Sequence, residues 1–597
     1  MNRLRRILVL LASTLCLAAG SVRATEPSAS SAVPPLPFDR ILRYEELTRL
    51  LDQWAAAHPE IIEVQSIGVT PKGRKIWFLT LTARSTGPAL EKPALLVDGN
   101  EHATEWAGGV AALHMAWRLV RDYGSDERVT RLLDTRCVYI LPRMSPDGVE
   151  ATLTEGRFIR SVDRPFPRLT RQPGIHPGDV DGDGRTLFIR YRDPNGPWKP
   201  HAADGRLLIP RTPDERDGEY WRVLPEGTIE AYDGVTIADA APLEGIDLGQ
   251  NFPGNLGDGA PVAEGAYPLS EPEVAAYVAA ITERPNIVAH VTCHTFGGLV
   301  LTPPVNQGER LPSSDRLAYA ALAARAATLT GYTAMSYLDL RATDREAYIP
   351  SAFAWLYGRK GIFSFITEFW NPLKAAGISL EGTTASAWLW GFHPVEDELK
   401  LLRWSDHDTG GRCFAPWRET THPQLGRVEV GGWDVVNCFY NLPLDRLERE
   451  IAPHSEWLIE LALSSPRLAI RAITTDPLPG GMWRVRLVVE NTGWLPTNGA
   501  QQAIESGAVQ PVSVELTMPA GARLVAGEPR QRLGQLAGRS EQRSTATPWG
   551  YRPGTPDRAF AEWIVAAAPG SRLALKASHE RAGVVRSEVT LPSPAVR

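Results

Sequence analysis

Residues 94–105 read ALLVDGNEHATE, an apolar run and a polar turn in which a histidine and a glutamate stand three positions apart. The run predicts a buried strand ending near Asp98, and the pattern from about Glu105 to Arg121 predicts a long helix. Positions i and i+3 of a first helical turn project to the same side, so His102 and Glu105 are predicted to bind one metal ion. Such residues are also common as caps or solvated side chains, so this motif alone is a weak signal.

A third metal ligand is predicted at the end of a second apolar run, residues 287–294 (IVAHVTCH). A catalytic zinc ion is typically held by three protein ligands and a water molecule. His294 closes the run and supplies the missing ligand. His290 lies on the same face of the predicted strand and is an alternative ligand, although its deeper position favours a place in the core.

The rest of the chain divides into two regions of different character. Strand-like runs alternate with helical patterns over residues 37–466, which predicts an α/β domain with a largely parallel or mixed sheet. Residues 467–597 carry short β-type runs between Gly/Pro-rich turns and no lasting helical pattern, which predicts a β-sandwich-like accessory domain. Two insertions, at about 161–244 and about 406–442, are predicted to form walls of a cleft.

Residues 1–24 have the features of a secretory signal peptide, because three arginines precede a short apolar stretch and small residues mark a cleavage site. Residues 25–36 are rich in Ser, Pro and Ala and are interpreted as a linker. The apolar stretch is too short to span a bilayer comfortably, and no later segment is long enough. We therefore expect export to the periplasm or the cell exterior, without a membrane span. The net charge of −6 gives no electrostatic case for nucleic-acid binding.

Four cysteines follow the predicted signal peptide: Cys137, Cys293, Cys413 and Cys438. Export permits disulfides. Four cysteines allow three pairings, of which Cys413 with Cys438 joins the nearest pair in sequence, and the sequence does not choose among them. The chain has no CxxC spacing, so a cysteine-based zinc site is not supported.

The metal-binding stretch resembles the zinc carboxypeptidase family, whose ligands come as HxxE and a distant histidine. Further stretches match that family in order, from about Arg43 to Leu463: GVTPKGR at 68–74, SPDG at 145–148, GIDL at 245–248, SEPE at 270–273 and WLYGRKGIFSFITE at 355–368. The resemblance implies a mixed eight-stranded sheet with flanking helices, one zinc ion, and a peptide or protein substrate whose peptide bonds are hydrolysed. It does not extend to the C-terminal region and indicates no oligomeric state.

The resemblance also implies roles for single residues beyond the three metal ligands. Glu368 matches the family's general base and proton shuttle. It also ends an apolar strand, where burying a lone carboxylate for structural reasons would be costly. Asp247 matches the carboxylate that hydrogen-bonds a ligand histidine. Arg160 matches the arginine that stabilises the oxyanion. Arg157, in the same stretch, is a further candidate for substrate binding.

The chain departs from the family where substrates are recognised. Gly249 and Gln250 replace the Asn-Arg pair that grips a terminal carboxylate, and a neutral amide cannot replace a guanidinium. Thr104 stands where the family commonly has an arginine. Tyr348 lies near the expected flap tyrosine, with a core or surface aromatic as the alternative.

These departures leave three functions open. They are a carboxypeptidase, an endopeptidase or amidase acting on peptidoglycan-type or γ-linked peptides, and a non-catalytic peptide-binding module. The retention of Glu368, Asp247 and the three ligands argues against the binding module.

A calcium loop is the last feature suggested by the sequence. Residues 179–184 (DVDGDG) resemble the opening of such a loop, with Asp179, Asp181 and Asp183 as ligands. The twelfth position, where a bidentate glutamate is required, is Arg190. A turn built from Asx and Gly residues is the alternative.

Overall fold

The computed structural model describes residues 33–167, 169–253, 265–304, 309–341, 352–541 and 554–593. The predicted signal peptide, most of the predicted linker and Tyr348 lie outside these ranges. None of the described helices is long and apolar enough to cross a membrane.

The larger part of the chain, up to Ser464, alternates strands and helices. Its strands are β1 (Ile62–Val69), β2 (Lys75–Leu81), β3 (Ala94–Gly99), β4 (Cys137–Leu141), β5 (Gly174–Pro177), β6 (Phe188–Arg192), β7 (Trp198–Pro200), β8 (Leu208–Pro210), β9 (Trp221–Pro225), β10 (Gly227–Glu230), β11 (Ile287–Thr295), β12 (Leu299–Thr302), β13 (Thr333–Ser336), β14 (Phe363–Phe369), β15 (Phe414–His422) and β16 (Gly426–Trp433). Its helices are α1 (Tyr44–Ala57), α2 (Trp106–Asp122), α3 (Glu127–Thr135), α4 (Pro146–Glu155), α5 (Pro272–Thr282), α6 (Ser313–Thr330), α7 (Tyr337–Arg341), α8 (Ala352–Lys360), α9 (Pro372–Ala375), α10 (Ala385–Trp390), α11 (Val395–Asp408) and α12 (Leu444–Ser464).

The central sheet is mixed and has eight strands in the order β1-β2-β4-β3-β11-β14-β12-β13. Strands β4, β3, β11 and β14 run parallel at its centre. Every residue of β3 and β11 is buried, as expected for central parallel strands that are covered on both faces. Side chains of β3 alternate between two cores, with Leu95 and Val97 on one side of the sheet and Leu96 on the other. The predicted mixed eight-stranded sheet with flanking helices is confirmed.

The two insertions form one structure. Strands β6 to β9 come from the first insertion and β15 and β16 from the second, and they join in a six-stranded sheet of order β15-β16-β6-β9-β7-β8. The join is the antiparallel pairing of β16 with β6, where Val430 is opposite Ile189. A disulfide links Cys413 to Cys438, whereas Cys137 and Cys293 are buried free thiols.

The C-terminal region contains two four-stranded antiparallel sheets around a core of their own. Its strands are β17 (Leu468–Leu478), β18 (Met482–Asn491), β19 (Ser513–Thr517), β20 (Arg523–Ala526), β21 (Arg530–Arg532), β22 (Arg558–Ala566), β23 (Arg572–His579) and β24 (Gly583–Thr590). This arrangement confirms the predicted all-β, sandwich-like addition. A short helix, α13 (Gln501–Glu505), was not predicted. Its first backbone N–H groups donate to Asp315 on α6, a distant partner that no local pattern reveals.

Candidate metal centre

Three neighbouring parallel strands end at the candidate site. The carboxyl ends of β3, β11 and β14 lie at the same edge of the sheet, because adjacent parallel strands share one direction. The register places Asp98 opposite Thr292 and His294 opposite Glu368. Residues that are far apart in sequence therefore meet at this edge.

The three predicted metal ligands come together with their donor atoms converging. His102 Nδ1 lies 2.9 Å from Glu105 Oε1, and His294 Nδ1 lies 3.0 Å from Glu105 Oε2. The two Nδ1 atoms are themselves 3.0 Å apart. All three residues are buried. The donors thus form a compact triangle.

The local structure that brings His102 and Glu105 together differs from the prediction. Helix α2 begins at Trp106, and Glu105 is its N-cap, so both ligands lie on a tight turn before the helix instead of on its first turn. The Asn100 side chain holds this turn by donating to the Glu105 carbonyl at 2.6 Å. Close packing of α2 on β11 also fixes it, since a Cβ on Gly108 would lie 2.1 Å from the Cys293 carbonyl oxygen.

The second nitrogen of each imidazole has a polar partner. His102 Nε2 is 3.4 Å from Asp247 Oδ1, and His294 Nε2 is 2.9 Å from Thr292 Oγ1. A proton on Nε2 that is donated to these oxygens leaves the Nδ1 lone pair of each ring free to bind a metal. Arg160 Nε donates to Asp247 Oδ2 at 3.0 Å and thereby fixes that carboxylate.

This donor set fits zinc. Two imidazole nitrogens and a carboxylate are a recurrent set in catalytic zinc sites, and tetrahedral bonds of about 2.1 Å place ligand atoms about 3.4 Å apart, close to the triangle found here. His290, the alternative ligand, does not join the triangle. Its Nε2 lies 2.6 Å from Asp98 Oδ2, and its Nδ1 lies 2.5 Å from Ser364 Oγ. It is fully buried as part of the core.

The electrostatics of the site favour a bound cation. Burial opposes ionisation of Glu105, but His102 and His294 hold its pKa well below the usual range. Burial also opposes ionisation of Asp247, whose pKa Arg160 and His102 nevertheless keep far below normal. The excess of carboxylates over permanent cations at the triangle suits a divalent ion.

Glu368 lies at the end of β14 beside the triangle. Its side chain is half-buried, and burial raises the pKa of its carboxyl to about 7, with Glu105 adding to the rise and His294 opposing it. A cation held by the triangle would lower this pKa, because a positive charge favours the carboxylate. With a cation bound, Glu368 would therefore be a carboxylate at neutral pH, the form that accepts a proton as a general base.

The predicted substrate-binding residues are only partly at the site. Arg157 is bound by Glu155 and Glu244, each at 2.6 Å, so two carboxylates neutralise its charge. The Gly249 backbone N–H donates to Asp247 Oδ1 at 2.9 Å, and Gln250 Nε2 lies 3.4 Å from Asp247 Oδ2. Both residues thus contact the carboxylate behind His102.

The predicted calcium loop is arranged differently from its sequence pattern. Asp179 accepts hydrogen bonds from the backbone N–H groups of Gly182 and Gly184, as in an Asx turn. Asp183 is paired with Arg185 and Arg418, whose positive charges take the place of a cation. Asp179 and Asp181 instead approach Glu226 closely enough to share an ion. Calcium binding by Asp179, Asp181 and Asp183 stays a prediction.

Two residues at the site were not found from the sequence. Glu101 is buried beside His102; its Oε2 has no hydrogen-bond partner among the described residues, and burial raises its pKa. Its position next to a ligand was the only available signal. Tyr440 lies on the second insertion, and the charges of Arg160, Glu105 and Glu368 act on its pKa. Nothing in its sequence context indicated a place near these charges.

Comparison with known proteins assigns the chain to a family. The family model described as "Zinc carboxypeptidase" matches residues 47–382, more than half of the chain. The chain belongs to the zinc carboxypeptidase family. This confirms the resemblance on which the residue roles were predicted. Residues 467–590 match a second family, described as a domain of unknown function.

Curated relatives of the family cover limited parts of the chain. Carboxypeptidase A1 of Homo sapiens is 24% identical over 325 residues, which is 54% of this chain and 61% of that protein. The zinc carboxypeptidase of Saccharothrix mutabilis subsp. capreolus is 29% identical over 143 residues, 24% of this chain and 32% of the relative. The chain thus spans between 25% and 61% of the length of such relatives. The crystal structure of thrombin activatable fibrinolysis inhibitor aligns with a TM-score of 0.42 at 15% identity, covering 74% of this chain and 77% of that one.

Proposed function

We propose that this chain is an exported zinc peptidase that hydrolyses peptide bonds with Glu368 as general base. The observation that carries the proposal is the pairing of His294 with Glu368 on adjacent strands, which sets a carboxyl able to exchange protons beside a zinc-type donor triangle. Membership of the zinc carboxypeptidase family supports the same reaction class.

Each residue of the site has a distinct role in the proposed hydrolysis. A zinc ion held by His102, Glu105 and His294 would lower the pKa of a water molecule and polarise a carbonyl group. The Glu368 carboxylate accepts a proton from the attacking water and later delivers it to the leaving amine nitrogen. Arg160, oriented by Asp247 at 3.0 Å, donates to the carbonyl oxygen as negative charge develops there.

The test is a comparison of the zinc-loaded wild type with Glu368→Gln on a peptide mixture, read by mass spectrometry. Removal of a general base is expected to lower kcat by about 10²–10⁴-fold. Glu419→Gln, at an exposed position on β15, is the matched control and is expected to act as wild type. Equal hydrolysis by wild type and Glu368→Gln would refute the role of Glu368.

An endopeptidase or amidase on peptidoglycan-type or γ-linked peptides is the second candidate function. It is favoured by the state of the groups that would otherwise bind a terminal carboxylate. Gln250 carries no charge and approaches Asp247, and the charge of Arg157 is already neutralised by Glu155 and Glu244. Peptides with free and amidated C-termini separate the two functions, since a carboxypeptidase strongly prefers the free acid and the second candidate does not.

Export is proposed on the N-terminal sequence pattern and is supported by the Cys413–Cys438 disulfide. Disulfides persist outside the cytoplasm and are rare within it. Cell fractionation with N-terminal sequencing of the mature protein tests this part. A mature chain that starts near residue 25 is expected, and an uncleaved cytoplasmic protein would contradict it.

A further inference from the structure

Tyr440 lies on a segment of the second insertion that a disulfide and hydrogen bonds hold in place. The segment is a single π-helical turn, Val436–Tyr440. Cys438 on this turn forms the disulfide with Cys413, and its carbonyl oxygen accepts a hydrogen bond from Trp370 Nε1 at 2.8 Å. Trp370 follows β14 and is therefore two residues beyond Glu368. The turn is tied directly to the strand that carries the proposed base.

The next residue, Asn441, anchors the same segment on the metal-binding turn. Asn441 Oδ1 accepts from the Trp106 backbone N–H at 3.0 Å, and its Nδ2 donates to the Thr104 carbonyl at 2.8 Å. Thr104 and Trp106 flank the ligand Glu105. The second insertion is thus fixed to both sides of a metal ligand, and Tyr440 has little freedom to move away.

The ring of Tyr440 lies between two phenylalanines that flank the site. Its centroid is 5.1 Å from that of Phe158 and 5.3 Å from that of Phe296. Phe158 stands two residues before Arg160, and Phe296 two residues after His294. Contacts with both rings hold the phenol at the site.

The hydroxyl group of Tyr440 is free to bind a substrate. Among the residues that the structure describes, it has no hydrogen-bond partner. Burial raises the pKa of Tyr440 to about 12; Arg160 opposes this rise, and the negative charges of Glu105 and Glu368 add to it. The phenol is therefore protonated at neutral pH and can act as a hydrogen-bond donor.

We propose that Tyr440 is a catalytic residue of the peptidase reaction and donates its hydroxyl hydrogen bond to the oxygen of the scissile carbonyl, beside Arg160. This inference rests on the proposed function. Arg160 shares its N–H groups with two carboxylates, because its Nε donates to Asp247 and its Nη1 lies 3.5 Å from Glu105 Oε1. A second donor from a neutral group adds stabilisation where charge develops, and the proton stays on the phenol throughout.

The test compares Tyr440→Phe, which removes only the hydroxyl, with wild type and with Tyr191→Phe. Tyr191 is the matched control, because it is a half-buried tyrosine on β6 whose hydroxyl also lacks a hydrogen bond among the described residues. Loss of one donor to a developing oxyanion is expected to lower kcat about a hundredfold, with little change in KM. The inhibition constant of a phosphinic peptide, which mimics the tetrahedral state, is expected to rise by the same factor. Zinc content and Tm are expected to stay at wild-type values.

The outcomes separate the inference from the proposed function. In one outcome, wild type hydrolyses peptides and Tyr440→Phe has the same kcat and the same phosphinic-peptide inhibition constant as wild type. That result would overturn the role of Tyr440 and leave the proposed peptidase function intact. Absence of hydrolysis by zinc-loaded wild type on every peptide would overturn both. A double variant, Cys413→Ser with Cys438→Ser, keeps the hydroxyl and removes its brace. It is expected to lower kcat while retaining zinc, and full kcat in this variant would contradict the positioning of Tyr440 by the disulfide.

Discussion

Buried charges occur in two regions of this protein with opposite arrangements. At the metal centre, buried carboxylates lie close to one another and to two imidazoles whose nitrogens converge. At the contact between the C-terminal sheets and the main domain, the buried charges of Arg581 and Asp315 are instead bound mainly by backbone groups. There, Arg581 donates to the carbonyl oxygens of Gly361 and Asn498 at 2.8 and 2.9 Å. Asp315 accepts from the backbone of Gln501 at 2.6 Å.

The difference separates a binding site from a structural contact. A buried charge that binds several backbone groups is compensated without an ion, and its contacts fix how two domains pack. Clustered carboxylates with converging lone pairs are incomplete without a cation. Burial alone therefore does not identify a functional residue, whereas the nature of its partners does.

The largest expected effect comes from breaking the metal centre. His294→Ala removes one corner of the donor triangle, and we expect zinc content to fall from one ion per chain to a small fraction, with loss of hydrolysis. Treatment of wild type with a chelator is expected to give the same loss, which added zinc reverses. Metal analysis beside a hydrolysis assay measures both. A fully active preparation stripped of metal would end the assignment.

The next effect is expected at the domain contact, in stability and not in chemistry. Arg581→Met leaves three carbonyl oxygens without this donor, two of them in buried contacts, and we expect a loss of about 3 kcal/mol in the free energy of unfolding, with kcat unchanged. Arg586→Ala is the control, since Arg586 forms an exposed pair with Glu91 and is expected to cost less than about 1 kcal/mol. Denaturant unfolding measures the two losses, and equal losses would show that the backbone contacts of Arg581 do not matter.

The sequence predicted the metal centre better than its surroundings. His102, Glu105 and His294 could be found because each follows an apolar run, and parallel strands end at a common edge. The turn before α2 was predicted as helix because an i, i+3 spacing does not distinguish a helical turn from a tight turn held by Asn100.

Features that depend on contacts distant in sequence were not predictable. The pairing of β16 with β6 joins two insertions that looked independent, since nothing local to either strand records its partner. For the same reason, no local sequence pattern indicated that Tyr440 lies near the site. Its approach to the site depends on the disulfide of Cys438 and on the contacts of Asn441 with residues far earlier in the chain.

A third kind of buried group sharpens the comparison, because it has neither ion nor backbone partner. Neither ring nitrogen of His454 has a hydrogen-bond partner among the described residues, and its ring packs against Phe369 and Tyr332. Burial lowers its pKa from 6.5 to about 3. Between these values the unfolded chain binds a proton that the folded protein does not, so stability falls as pH falls from 6.5 towards 3.

The prediction from His454 is a pH-dependent loss of stability that a single substitution reduces. Lowering the pH from 7 to 5 is expected to cost about 2 kcal/mol through this residue, at about 1.4 kcal/mol per pKa unit. Over the same pH change, the free energy of unfolding of His454→Leu is expected to fall by about 2 kcal/mol less than that of wild type. Unfolding in denaturant at both pH values gives the difference, and parallel losses in the two proteins would contradict the assignment.

The smallest expected effect tests whether the charge balance of the metal centre sets substrate choice. Gln250 approaches Asp247 without a charge of its own. Gln250→Arg would add a cation able to bind a terminal carboxylate, and we expect the ratio of kcat/KM for free-acid over amidated peptides to rise about tenfold, as one charge-assisted hydrogen bond allows. Gln250→Glu adds the opposite charge and is expected to lower the same ratio. Two outcomes would contradict this prediction: both substitutions change the ratio in the same direction, or neither changes it. Residue 250 then does not contact the end of the substrate, and the two insertions set the preference.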